Sequence, residues 1–276
     1  HVKDASKAAG VLSELLRSDN SKYVSSVSAK YIRLREQHEA RREERKLLPL
    51  EKARENRLVT NWESIKLINP AKPGHHVIDT IDLKELSGYI DWTFFFHAWK
   101  LNGKYPAIFD DPVKGVEAKK LFSEANQMLD QIIAEKWLKA NAVVGFYPAF
   151  SENDSMHLFH PSAEKQEVSA FHFLRNQEQK ENGIPNLCLS DFIVPKEIGK
   201  EDYFGGFVVT AGEGIEEYVK QFEKQNDDYS VIMLKILADR LAEAFAEVLH
   251  KKVRTEFWGY ANQENLSMEE ILKENY

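Results

Sequence analysis

Gly115-Val116-Glu117-Ala118, then Leu121-Phe122-Ser123-Glu124-Ala125-Asn126-Gln127-Met128-Leu129-Asp130-Gln131-Ile132-Ile133, then Ala142-Val143-Val144-Gly145-Phe146 mark where the chain changes its hydrophobic period. Leu121, Phe122, Ala125, Met128, Leu129, Ile132 and Ile133 recur at i, i+4, i+7 and i+8. That spacing makes one continuous apolar stripe and predicts a helix over 115–140 with a face on a core. Short β-branched and aromatic runs follow at 142–146, 156–159, 168–174, 187–194 and 204–210, which predict strands. Connections as short as Ser151-Glu152-Asn153-Asp154 suit antiparallel hairpins. A block of strands between helices, instead of strict alternation, predicts an α+β domain with one mainly antiparallel sheet. The helices at 115–140 and 229–254 are expected to pack on it.

On the amino-terminal side, Ala8, Val11, Leu12, Leu15 and Leu16 predict a short helix over 5–16. Ser18-Asp19-Asn20-Ser21 breaks it and supplies N-cap residues for a polar helix from Lys22 to about Lys46. The run Arg41-Arg42-Glu43-Glu44-Arg45-Lys46 mixes its signs, so a solvated face is expected. Leu47-Leu48-Pro49-Leu50 ends the helix. Residues 51–88 read as irregular, with turns at Pro70, Pro73 and Gly74 and a strand at 77–81. A helix over 214–224 precedes the long last one, and Ser267 with Glu270 forms a capping box.

The 276 residues can bury a substantial core. A formal charge of −7 argues against a nucleic-acid partner, which calls for a basic excess. No apolar run is long enough to span a membrane. The single cysteine, Cys188, excludes an internal disulfide framework and a cysteine-rich zinc site, and fits a reducing cytoplasm. Cys188 lies in an apolar alternating run and reads as buried, not as a nucleophile. His157, His160 and His172 fall on neighbouring strands but lack an evident carboxylate partner for a metal site. No phosphate-binding glycine loop occurs. The start, His1-Val2-Lys3-Asp4, has no initiator Met or signal-peptide pattern and reads as an excerpt of a longer chain.

Two segments carry candidate chemistry. The first is Tyr89-Ile90-Asp91-Trp92-Thr93-Phe94-Phe95-Phe96-His97-Ala98-Trp99, followed by Gly103-Lys104-Tyr105-Pro106. An aspartate in such apolar company must be solvated, hydrogen-bonded or paired with a cation. It either caps a helix whose aromatics are core, or faces a ligand. The second is Asp239-Arg240-Leu241-Ala242-Glu243-Ala244-Phe245-Ala246-Glu247. Helical spacing puts Arg240, Glu243 and Glu247 on one side and Leu237, Leu241, Ala244 and Val248 on the other. The polar side is either a solvated face with a weak ion pair or the border of a cleft.

Together with Val143-Val144-Gly145-Phe146-Tyr147-Pro148-Ala149, Leu189-Ser190-Asp191-Phe192-Ile193-Val194-Pro195, Asp227-Asp228-Tyr229 and Phe257-Trp258-Gly259-Tyr260-Ala261, these strings resemble the activation domain of cobalamin-dependent methionine synthase. The resemblance runs from about Val2 almost to Tyr276. It implies a C-shaped single α+β domain with a central twisted antiparallel sheet flanked by long helices. Residues 1–20 would be the linker and short helix from a preceding cobalamin module, and 21–276 the activation domain.

The activity implied is repair of a larger enzyme, a methyltransferase whose main reaction this chain cannot complete alone. S-adenosylmethionine is presented to oxidised cobalamin, cob(II)alamin, which is reductively methylated with an electron from flavodoxin or a related reductase. Matched to the family, Asp91 would bind the amino group of S-adenosylmethionine, Arg240 and Glu243 would line the same site, and Asp239 would face the cobalamin module. The implied partners are the cobalamin-binding domain of the same polypeptide and the reductase. No catalytic residue and no metal are expected. The family's Arg-x-x-x-Gly-Tyr-Pro donor-binding motif normally follows the segment like Ile271-Leu272-Lys273-Glu274-Asn275-Tyr276, where this sequence stops, so the donor site is expected to be incomplete. The rival reading is a docking module for the cobalamin domain and flavodoxin without a ligand of its own.

Overall fold

The computed structural model describes residues 8–44, 46–162, 166–267, 270, 271, 273, 275 and 276. Its contacts cluster into two compact units. The smaller joins the residues before Asn61 to Phe173–Asp191, and the larger joins Asn61–His172 to Phe192–Tyr276.

The smaller unit holds helices α1 (Ala8–Leu16), α2 (Asn20–Glu44) and α3 (Leu50–Glu55). The expected first-helix start at Ala5 lies outside the described residues. Helix α2 is solvated, as its mixed charges predict: only Tyr23 and Val27 are half-buried among its described side chains. The rest of the unit is two irregular segments sewn together by polar groups. Leu48 N–H donates to the Gln177 carbonyl at 2.7 Å and Gln179 N–H to that of Lys46 at 2.8 Å. Asn186, fully buried, donates to the carbonyls of Asn176 and Glu178 and accepts from the Asn56 amide.

Residues 187–194, expected as a strand, are not one: Leu189–Phe192 is a 3-10 turn. The Asp191 carboxylate accepts two hydrogen bonds from the Arg175 guanidinium, at 2.7 and 2.8 Å, and a third from the Cys188 N–H at 2.9 Å. Meeting all three donors curls the backbone, and Asp191 N–H closes the turn on the Cys188 carbonyl. Alternate burial survives the curl, with Cys188 and Ser190 inside and Leu187 and Leu189 outside, so a turn reproduces the period of a strand.

The larger unit is an antiparallel sheet backed by helices, as its sequence period predicts. Strand β1 (Gly74–Ile78) is followed by helices α4 (Leu83–Ser87), α5 (Trp92–Ala98) and α6 (Gly115–Ala134). Strands β2 (Lys139–Glu152), β3 (Ser155–Phe159), β4 (Glu167–His172) and β5 (Asp202–Glu213) precede helices α7 (Ile215–Lys224) and α8 (Asp228–Lys252). β2 is the spine. β5 pairs along one edge of it, while β1 and then β3 share the other, and β4 pairs with β3. The β2–β3 hairpin turns through Asn153, which takes the positive φ of 53° that asparagine tolerates.

Helix α6 stops at Ala134, short of the expected 140. Lys136 adopts a φ of 56° and Trp137 N–H reaches back to the Ile132 carbonyl, a Schellman ending made without glycine. The inward residues of β2, among them Ala142, Val144 and Phe146, pack with Leu234, Leu237, Leu241 and Phe245 of α8 and the stripe of α6 in one core. After α8 the chain makes a π-helical turn, Val253–Phe257, onto which the loop at Ala71 and Lys72 is pinned by backbone hydrogen bonds.

Candidate functional site

Asp91 is the N-cap of α5, and its Oδ1 accepts the Thr93 N–H at 2.8 Å. The capping reading of this residue is therefore right for one oxygen. Among the described residues Oδ2 has no hydrogen-bond partner, and the side chain is half-buried beside the aromatic core of Trp92, Phe95 and Phe96. Thus the cap and a ligand-facing role do not exclude each other. Phe94, 56% exposed, points away from that core. Its ring lies 6.0 Å from the guanidinium carbon of Arg240 on α8. One cation–π contact thus ties the helix that Asp91 opens to the candidate stripe far along the chain.

On α8 the expected division holds. Leu237, Leu241, Ala244 and Val248 are buried, whereas Arg240 and Glu247 are half-buried and Glu243 is exposed. Arg240 and Glu243 share the outward side of α8, and Arg240 stands by the start of α5. Asp239 lies one turn before Glu243 on the same helix. It is exposed on the flank towards β5, where it lines a 450 Å³ hollow with Thr210, Gly212, Ile215 and Lys235.

Sequence reasoning missed the continuation of the stripe. Arg240, Glu243, Glu247, His250 and Arg254 stand at i, i+3, i+7, i+10 and i+14, within about 80° of one another around the helix axis. The same spacing rule that selected the first three residues would have found the others. The partners of the later members, Glu264 and Tyr276, come from beyond the helix. Arg254, only 2% exposed, holds Glu264 through two hydrogen bonds of 2.6 and 2.8 Å. Tyr276 lays its ring 3.8 Å from the Arg254 guanidinium and 5.0 Å from the His250 ring. Burial, and then the Arg254 charge, push the His250 pKa below its ordinary 6.5. The hydrogen bond from Arg254 holds the Glu264 carboxyl below the ordinary carboxylate range.

Two comparisons bear on this geometry. Residues 82–276 match the family model described as vitamin B12 dependent methionine synthase, activation domain. The chain belongs to that family. A solved structure described as the MetH reactivation domain bound to AdoHcy is similar at 45% identity, with a TM-score of 0.80 over 83% of this chain and 70% of that one. The matched span of the activation domain holds every candidate residue, from Asp91 to Tyr276. It also holds strands β2 to β5 and both long helices of the larger unit.

Other groups of chemical interest are engaged elsewhere in this activation domain. Cys188 is buried and accepts from the Ser190 hydroxyl at 3.2 Å. His172 pairs with Ser155, and His157 lies 3.3 Å from Glu167. Among the described residues no group of three or more His, Cys, Asp or Glu is placed to hold a metal ion. No helix among them is long and apolar enough to cross a membrane.

Proposed function

We propose that this activation domain binds S-adenosylmethionine along the outward stripe of α8 and presents its methyl group to cobalamin carried by another module of the same polypeptide. In this reading residues 1–20 are the link from that module and 21–276 the activation domain. The electron comes from flavodoxin or a related reductase, in the cytoplasm. The chain's own task is to hold and orient the donor, because placing a reactive group correctly removes much of the entropic barrier to transfer.

The observation that carries the reading is the Phe94–Arg240 contact, which sets the mouth of α5 against the stripe. There the Asp91 Oδ2 suits an ammonium group. Glu243 suits ribose hydroxyls or the neighbourhood of a sulfonium, since carboxylates accept hydrogen bonds and favour positive charge. Arg240 supplies a fixed cation that limits the carboxylates' net charge. Asp239, on the flank towards β5, faces the cobalamin module. The neighbour's AdoHcy is what the donor becomes once its methyl is gone, and this similarity supports the same ligand class here.

Calorimetry with S-adenosylmethionine and S-adenosylhomocysteine tests the proposal. Asparagine caps a helix as well as aspartate does, so Asp91→Asn spares α5 and removes only the charge. We expect it to weaken binding at least about tenfold, as the loss of a charged hydrogen bond worth about 1.5–3 kcal/mol requires. Binding unaffected by both Asp91→Asn and Glu243→Gln would reject the site. No binding by the wild type would favour the docking module without a ligand.

A further inference from the structure

We infer that Phe94 is a positioning residue for the donor site: its ring holds the Arg240 guanidinium by one face and keeps it off Glu243, whose carboxylate stays open to a ligand. The inference rests on the reading that the donor binds between Asp91 and the α8 stripe, and it names what keeps that site ready.

Phe94 parts from the rest of its aromatic run. Phe95 and Phe96 are fully buried, whereas Phe94 is 56% exposed and stands one turn along α5 from Asp91. Its ring meets the His97 ring edge-on at 5.8 Å and lies 6.0 Å from the guanidinium carbon of Arg240. A single exposed ring needs no explanation by itself. What sets this one apart is its charged partner.

A guanidinium carries all its N–H donors in one plane. Arg240 is half-buried, yet among the described residues its side chain makes no hydrogen bond and no ion pair. Glu243 lies three residues on, a spacing at which opposite charges on a helix come within reach. It, too, has no ion pair among the described residues. Such a pair is weak at a surface, and a cation–π contact is worth about as much, so one exposed ring can hold the guanidinium away from the acid. An aromatic face attracts a cation without occupying its donors or neutralising a carboxylate. The Arg240 charge then stays near enough to offset the acids of the site, while the Asp91 Oδ2 and Glu243 remain free acceptors. A ligand that brings an ammonium or ribose hydroxyls breaks no ion pair on entering.

The test is S-adenosylhomocysteine calorimetry on Phe94→Leu and Phe94→Trp, each made in the wild type and in an Arg240→Met background, with melting temperatures recorded beside it. Leucine is a strong helix former and the position is exposed, so Phe94→Leu should leave the melting temperature unmoved. Without the ring Arg240 turns to Glu243, and the ligand must break that pair. We expect Phe94→Leu to weaken binding about three- to fivefold, the worth of one exposed charge contact. Phe94→Trp keeps an aromatic face and should bind as the wild type does. In the Arg240→Met background, with no cation to release, Phe94→Leu should change affinity by less than about twofold. Should Arg240→Met bind too weakly to measure, Glu243→Gln serves as the background, where the released cation finds no acid. An equal loss in both backgrounds would overturn the inference, because the ring would then touch the ligand itself or shape α5. So would unchanged affinity in Phe94→Leu, or a Phe94→Trp as weak as it. If Asp91→Asn weakens binding and Phe94→Leu does not, this inference falls and the donor site stands. If the wild type does not bind, both fall.

Discussion

In the larger unit, Phe95, Phe96, Ile132, Val144, Phe146, Leu241 and Phe245 are buried together between a sheet and its helices. In the smaller, the fully buried side chains that join one segment to another are polar, with Asn186 and the Arg175–Asp191 pair at the centre. Among the described residues each unit holds a buried bidentate arginine–carboxylate pair, but the pairs are set differently. Arg175 also donates to the Asn186 carbonyl at 2.7 Å, whereas Arg254 Nη1 has no hydrogen-bond partner among the described residues. The first pair completes a polar interior. The second fastens a segment onto an apolar one. Non-directional burial tolerates rearrangement, while a buried network must satisfy every member at once.

The largest effect should come from breaking the network. Arg175→Met leaves the Asp191 charge buried and uncompensated, and should cost about 3–5 kcal/mol by denaturant unfolding. Arg175→Met combined with Asp191→Leu should recover most of that loss. A double variant as unstable as the single one would mean that the turn at Cys188, not the charge pair, holds the unit. In the apolar interior, Leu241→Ala should cost about 2–5 kcal/mol, and no second substitution of a polar partner should restore it. Recovery there would erase the contrast between the units.

At the site the effects are smaller and separate more finely. Asp91→Ala should lose about 1 kcal/mol of stability with the cap, and Asp91→Asn almost none. Equal losses would show that the carboxylate charge itself stabilises α5. The smallest effect is the acid response of His250. Its pKa in the folded protein lies below the ordinary 6.5, so the related stability is present above that value and lost as pH falls through the lowered one. Arg254, Glu264 and Tyr276 face it. The melting temperature should therefore be lower at pH 5 than at pH 7, and His250→Gln should reduce the difference. An unchanged difference would place the acid lability elsewhere.

Period was the legible part. The α6 and α8 stripes, the alternation at 142–146 and the short hairpin connection before 155 follow from residue order, because helix and strand have fixed repeats of 3.6 and 2. The place of Arg240 and Glu243 on the outward side of α8 was legible in the same way, and the N-cap role of Asp91 through its place at the head of an aromatic run. The 187–194 segment was not, since alternation cannot distinguish a strand from a turn wound about a buried carboxylate. Nor was the end of α6, where Lys136 takes a left-handed conformation more often given to glycine.

The sequence by itself determined the two apolar faces, the antiparallel hairpins and the polar stripe on α8, all set by spacing within one element. Only the tertiary structure decided that Phe94 meets Arg240, that Asp239 lines a hollow with Thr210 and Gly212 of β5, and that Arg254 is buried under Tyr276. Such contacts join residues separated by long loops. Their pairing depends on how the whole core closes, which no local period encodes.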